Sequence, residues 1–131
     1  MSIASISNAQ EKMDSWKIIL NNKVVLNTSD ENADKNSIKV KSADWKKNGF
    51  LQIQYHNAEA TNWQRSFTLN DENDAELIRK DSTTSINISL SSLRKIFKGK
   101  KKIVIYSIFL PPDPSMGVRI RRVHLCTLRL P

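Results

Sequence analysis

The chain has few of the residues from which small catalytic and metal-binding motifs are built. Its 131 residues include one cysteine, two histidines and three glycines. A single cysteine, Cys126, excludes an intrachain disulfide. The sequence has no glycine-rich phosphate loop, no Gly-x-Ser-x-Gly elbow and no His-Glu-x-x-His motif around His56 or His124. We therefore predict a protein that is not an enzyme and that uses no cofactor.

Long apolar runs and a secretion signal are also missing. No segment approaches the ~18 apolar residues of a membrane-spanning helix. The first residues, MSIASISNAQEKMDSW, lack a basic start followed by an apolar stretch. These features predict a cytoplasmic protein without a transmembrane segment.

Alternating apolar and polar residues dominate the rest of the chain. The segment Trp16 to Leu26 predicts a β-hairpin whose turn is Asn21-Asn22, since asparagine tolerates positive φ. The alternation from Phe50 to His56 predicts a half-buried antiparallel strand, and residues 63–69 are predicted to be its partner. Arg65 falls on the apolar face of this partner, so we expect its stem to pack and its charged head to reach the rim.

The C-terminal third provides the strongest strand signal. Residues 103–110 are apolar on both alternating faces and, after a proline-rich break, residues 117–130 are predicted to return as the second arm of a long hairpin. The apolar parity of this second arm flips twice. A strand of period two cannot keep one buried face through such flips. This predicts either bulges near Arg121-Arg122 and Cys126-Thr127 or a strand that crosses from one sheet to the other, and we favour at least one bulge or bend.

One short helix is predicted between these strands. Leu93, Ile96 and Phe97 have helical spacing, Ser91 is the predicted cap, and Gly99 is placed to end the helix.

The whole pattern predicts an all-β fold with one short helix. It is typical of an antiparallel β-sandwich of about seven to nine strands, or of a partly closed barrel. We assign residues 14–131 to this single domain and residues 1–13 to a flexible N-terminal arm. Trp16, Trp45 and Trp63 occupy positions more typical of a core than of a ligand platform.

Positive charge is concentrated near the C-terminus. The net charge is +8, yet residues 94–131 contain ten Lys or Arg and a single acid, Asp113. Such asymmetry indicates an anionic partner, although basic strand ends also discourage edge-to-edge aggregation. The candidate polyanion-binding or partner-binding residues are Lys100, Lys101, Lys102, Arg119, Arg121, Arg122 and Arg129.

Two acidic loops, residues 30–34 and 71–76, offer oxygen ligands but lack EF-hand spacing. Three interpretations remain open: the acidic side chains bind calcium, they are solvated loop charge, or they contact the basic strand of a neighbouring copy.

From these observations we predict a non-enzymatic protein–protein interaction module, a subunit or adaptor of a larger assembly that acts on a protein partner or by self-assembly. The alternatives are polyanion binding, to nucleic acid or an anionic surface, through the basic hairpin, and calcium-dependent binding through the acidic loops.

Overall fold

The structure is a computed structural model that describes residues 13–59, 61–113 and 120–131. These residues form nine strands and two short helices. The strands are β1 (Ser15–Leu20), β2 (Lys23–Thr28), β3 (Ser37–Lys39), β4 (Phe50–His56), β5 (Gln64–Asn70), β6 (Glu76–Lys80), β7 (Ser85–Ser89), β8 (Lys102–Leu110) and β9 (Arg122–Arg129). The helices are α1 (Ser42–Trp45) and α2 (Leu90–Ile96).

The strands form two open sheets, of four strands in the order β2-β1-β4-β7 and of five in the order β3-β9-β8-β5-β6. The β-sandwich prediction is confirmed, and the alternative of a partly closed barrel is wrong. Most neighbours are antiparallel, but the short β3 pairs with β9 in parallel. Across the described residues no helix has the length and apolar character needed to cross a membrane.

The first hairpin is confirmed. β1 and β2 are joined by Asn21 and Asn22, whose φ angles are 52° and 66°. Both angles lie in the left-handed region that asparagine tolerates. β1 also pairs with β4, and the inward side chains of both strands enter the core between the sheets.

The terminal hairpin is confirmed as well, with Ile103, Ile105 and Ser107 of β8 fully buried between the sheets. Residues 114–119, which include the predicted start of the second arm, lie outside the described residues. Residues 1–12 of the predicted arm do too. The described part of the second arm is β9, which begins at Arg122.

One β-bulge resolves the parity problem in β9. Ile105 pairs with Cys126 and Tyr106 pairs with His124, so Leu125 is the extra residue. The prediction of a bulge is confirmed, but it lies just before Cys126-Thr127, and in the described part of β9 there is none at Arg122. The extra residue lets Leu125, Cys126 and Leu128 all be buried.

One predicted strand pairing and one predicted helix cap are wrong. β5 does not pair with β4: it lies in the other sheet between β6 and β8. The connection after His56 crosses between the sheets, because β5 pairs along its whole length with the long apolar β8. Helix α2 is capped by Ser89, whose hydroxyl accepts from the Ser92 amide at 3.2 Å, and not by Ser91.

Helix α2 does end as predicted near Gly99, which has a φ of 78°. Helix α1, a single turn that includes Trp45, was not predicted.

Candidate functional site

Three cations of the basic C-terminal hairpin are paired with acidic groups of the same chain. The Lys100 ammonium lies 3.0 Å from the Asp71 carboxylate. The Arg122 guanidinium likewise lies 3.0 Å from the Asp74 carboxylate. Arg121 forms an ion pair with Glu31. Half of the six described candidate residues therefore face a carboxylate, and Arg119 lies outside the described residues.

Asp71 fixes the loop that supplies two of these carboxylates. Its side chain is buried, pairs with Lys100 and accepts hydrogen bonds from the amides of Asn73 at 2.9 Å and Ala75 at 3.0 Å. The Lys100 contact, together with these amides, lowers the pKa of the Asp71 carboxyl. Within the described chain no three or more His, Cys, Asp or Glu side chains gather as a metal site.

Three cations are placed side by side on the outer face of the five-stranded sheet. Strand register sets Lys39 of β3 directly beside Arg129 of β9, and Arg129 directly beside Lys102 of β8. We call these three residues the basic row. Neighbouring strands are about 4.8 Å apart, so the row spans about 10 Å between backbones. All three side chains are exposed, and none forms an ion pair within the described ranges.

An apolar strip follows the basic row along β8. Because Ile103, Ile105 and Ser107 face the core, the alternate residues face outward. The strip consists of Val104, Tyr106, Ile108 and Leu110, all half-buried. The Arg122 guanidinium covers the Tyr106 ring at 3.8 Å from its centroid, and His124 meets that ring edge-on. The face therefore combines cations at one end with apolar side chains along its length.

Arg65 is the most unusual residue of the opposite end. It is 5 % exposed, and its guanidinium lies between the rings of Tyr55 and Phe109, at 3.7 and 4.4 Å from their centroids. The prediction that its head reaches the rim is wrong, because this slot supplies both stacking surfaces and hydrogen-bond acceptors. Burial lowers the pKa of the Arg65 guanidinium.

Polar partners enclose the edge of this guanidinium. Arg65 donates to Asn57 Oδ1, at 2.8 Å from Nη2, to the Ser107 hydroxyl, and to Asp14 at 3.4 Å. Asp14 also accepts from the Tyr55 hydroxyl at 2.9 Å. Desolvation, augmented by Asp14, raises the pKa of the Tyr55 phenol. These contacts join both sheets at this end of the sandwich.

The two residues with nucleophilic or general-base potential on β9 point in opposite directions. His124 lies opposite Tyr106 on the outer face, whereas Cys126 lies opposite Ile105 in the core. Residues two apart normally share a face of a strand, but His124 and Cys126 do not, because Leu125 is bulged. Burial raises the pKa of the Cys126 thiol to about 12 and lowers the pKa of His124. This geometry provides no Cys–His dyad.

Comparison with protein-family models, with curated proteins and with solved structures found no match to this chain.

Sequence reasoning found two members of the basic row and missed the third. The predicted terminal hairpin of residues 103–110 and 117–130 brings Lys102 and Arg129 near each other, and the register confirms this proximity. Lys39 joins them only through the parallel pairing of β3 with β9, for which the sequence has no local signal. The Trp positions are mixed: Trp16 is buried, as expected of a core residue, whereas Trp45 and Trp63 are half-buried.

Proposed function

We propose that this protein is a non-enzymatic protein-binding domain that recognises an acidic partner through the outer face of its five-stranded sheet. The observation that carries the proposal is the basic row, Lys39, Arg129 and Lys102, with no carboxylate partner within the described ranges. Like charges directly opposite each other destabilise a sheet. An arrangement with such a cost is expected where an anionic partner offsets it.

The neighbouring apolar strip favours a protein over a nucleic acid as the partner. Val104, Ile108 and Leu110 offer aliphatic surface, which stabilises protein interfaces when it is buried. Single-stranded nucleic acids are bound by a positively charged groove together with aromatic rings on which the bases stack, and the one aromatic ring of the strip, Tyr106, is covered by Arg122. Three cations beside an apolar strip match a partner with acidic residues next to apolar ones.

The test is affinity capture from the source cells with two variants of equal net charge. The row variant carries Lys39→Glu, Lys102→Glu and Arg129→Glu. The control variant carries Lys17→Glu, Lys80→Glu and Lys95→Glu, all at exposed positions away from the row. We expect one protein to be captured by the wild type and the control at similar levels, and at least about tenfold less by the row variant.

A purified candidate partner is then titrated in rising salt, with duplex DNA and heparin as parallel probes. Weaker binding at higher salt is expected, since the row is exposed. Equal loss in both variants would overturn the assignment of the row. If DNA or heparin binds tightly and in a salt-dependent way, and only the row variant loses this binding, the partner is a polyanion and not an acidic protein.

A further inference from the structure

A groove at the other end of the sandwich offers a second surface, unrelated to the basic row. Two adjoining depressions, of about 420 and 380 Å³, share Asp14, Trp63 and Phe109 as lining residues. Each volume is in the range of small-molecule sites. Lys102 and Phe109 are seven residues apart on β8, so the groove lies about 20 Å from the basic row.

Aromatic rings form one wall of the groove. Trp63 and Phe109 are half-buried, with ring centroids 5.3 Å apart and planes inclined by 38°. The other face of this wall is already occupied, because Phe109 is stacked on Arg65. The open surface of the indole can therefore cover an apolar ligand face without any rearrangement of the core.

Hydrogen-bonding groups without a partner in the described chain border this wall. Asn57 uses its carbonyl for Arg65, which leaves its amide Nδ2 as a donor. The Trp63 indole N–H and the Glu59 carboxylate are likewise unpaired among the described residues. Two donors and an acceptor beside an aromatic surface suit a ligand whose edge carries several hydroxyl groups.

The charge of the groove excludes a strongly anionic ligand. Although the chain has a net charge of +8, the groove lining has one more carboxylate than cations. Its charged residues are Asp14, Glu31, Glu59, Arg65 and Arg121. Arg65 and Arg121 are engaged with Asp14 and Glu31, so neither cation is left to bind an anion.

We infer that this groove binds a neutral carbohydrate, with a sugar ring stacked on Trp63 and its hydroxyls bonded to Asn57 and Glu59. A pyranose has an apolar face of C–H groups and an edge of hydroxyls, and the groove presents one surface for each. The site requires no catalysis and acts independently of the basic row.

The test is an NMR titration of the full chain with cellohexaose, xylohexaose and mannohexaose, each to about 10 mM. The indole N–H of Trp63 reports directly on the groove, and that of Trp45 is the internal control. We expect the Trp63 indole and Asn57 amide signals to shift with at least one sugar, with a Kd of about 1 mM or tighter. The Trp45 signal is expected to stay in place.

Two substitutions test the wall and the rim separately. Trp63→Ala should weaken binding at least about tenfold, and Glu59→Gln, on an exposed side chain that cannot affect folding strongly, should weaken it several-fold. Lys102→Ala with Arg129→Ala, at the distant row, should leave the sugar affinity unchanged.

The proposal is overturned if none of the three sugars shifts these signals. It is also overturned if the Glu59→Gln and wild-type chains bind the sugar with equal affinity. Polygalacturonate and choline serve as charged probes. Tighter binding of either than of the neutral sugars would contradict the assigned ligand class.

Discussion

At the scale of single residues, the most informative position is the one that breaks its local pattern. Arg65 occupies an apolar slot in the alternation of β5, and the structure buries it between Tyr55 and Phe109. A buried guanidinium requires acceptors, and Asn57 and Ser107 supply them. The pattern break therefore marks the point at which a polar network, not further apolar packing, holds the two sheets together.

Gly49 is a residue for which the lack of a side chain is essential. A Cβ added there would lie 1.7 Å from the Asn21 side-chain oxygen. We expect Gly49→Ala to lower the free energy of unfolding by about 1–3 kcal/mol, because Asn21 is held in the hairpin turn by its bond to the Asp44 carbonyl. Urea denaturation followed by tryptophan fluorescence measures this change.

Gly99→Ala is the matched control. A Cβ at Gly99 would meet no atom within 4 Å, but its φ of 78° is strained for alanine. Adding Asn21→Gly should recover part of the stability lost in Gly49→Ala and none of that lost in Gly99→Ala. Equal recovery in both would show that the Gly49 cost is not the contact with Asn21.

At the scale of elements, the acidic loop between β5 and β6 acts as a clamp on the terminal hairpin. Asp71 pairs with Lys100, Glu72 accepts from the Lys101 amide at 3.0 Å, and Asp74 pairs with Arg122. The separation of charge along the sequence is thus offset in part by contacts in space. None of these pairs compensates the basic row, which combines three adjacent cations with the apolar strip. That row, and not the whole hairpin, is therefore the proposed binding surface.

Asp71→Asn should loosen this clamp and give a pH-dependent loss of stability. The folded pKa of Asp71 is lowered below its ordinary 3.8, so its contribution is present above 3.8 and is lost as the pH falls through the folded value. We expect a lower urea midpoint than wild type at neutral pH and a smaller difference near about pH 3. Asp34→Asn, on an exposed loop, should show almost no difference at either pH. A constant difference across pH would contradict the ion pair as the cause.

Residues close in sequence predicted the strands and turns of this fold well, but they predicted less well which strands lie next to each other in a sheet. The Asn21-Asn22 hairpin, the terminal hairpin and the left-handed Gly99 shortly after α2 all depend on residues close in sequence, and all three are confirmed. The pairing of β4 with β5 was wrong because alternation indicates that a strand has one buried face, but not which sheet it joins.

The candidate site could likewise be predicted only where it depends on consecutive strands. Lys102 and Arg129 lie on two consecutive antiparallel strands, whereas Lys39 lies on a strand about 90 residues before Arg129 in sequence. The groove was not predicted at all. Its residues come from Asp14, from the β4–β5 connection and from the end of β8, and no spacing rule joins these segments.

At the scale of the whole molecule, the sandwich has two kinds of surface, the basic row and the groove. They lie at opposite ends of β8. One end presents unpaired cations, and the other presents aromatic rings with one more carboxylate than cations. Both depend on a core that includes Ile105, Leu125 and Cys126, each fully buried. Opening of that core can therefore be followed at a single atom, the Cys126 sulfur.

Cys126 should react with a disulfide reagent only when the sandwich opens. Its side chain is fully buried and its pKa is about 12, so at neutral pH the folded protein offers neither access nor thiolate. We expect no reaction without denaturant and a rate that rises with urea in parallel with unfolding. The variant Ser91→Cys, at an exposed helix position, should react once at mixing and leave Cys126 protected. Rapid labelling of Cys126 in the native protein would show that the sheets separate locally at β9, and the bulge at Leu125 would then be a point of weakness in the core.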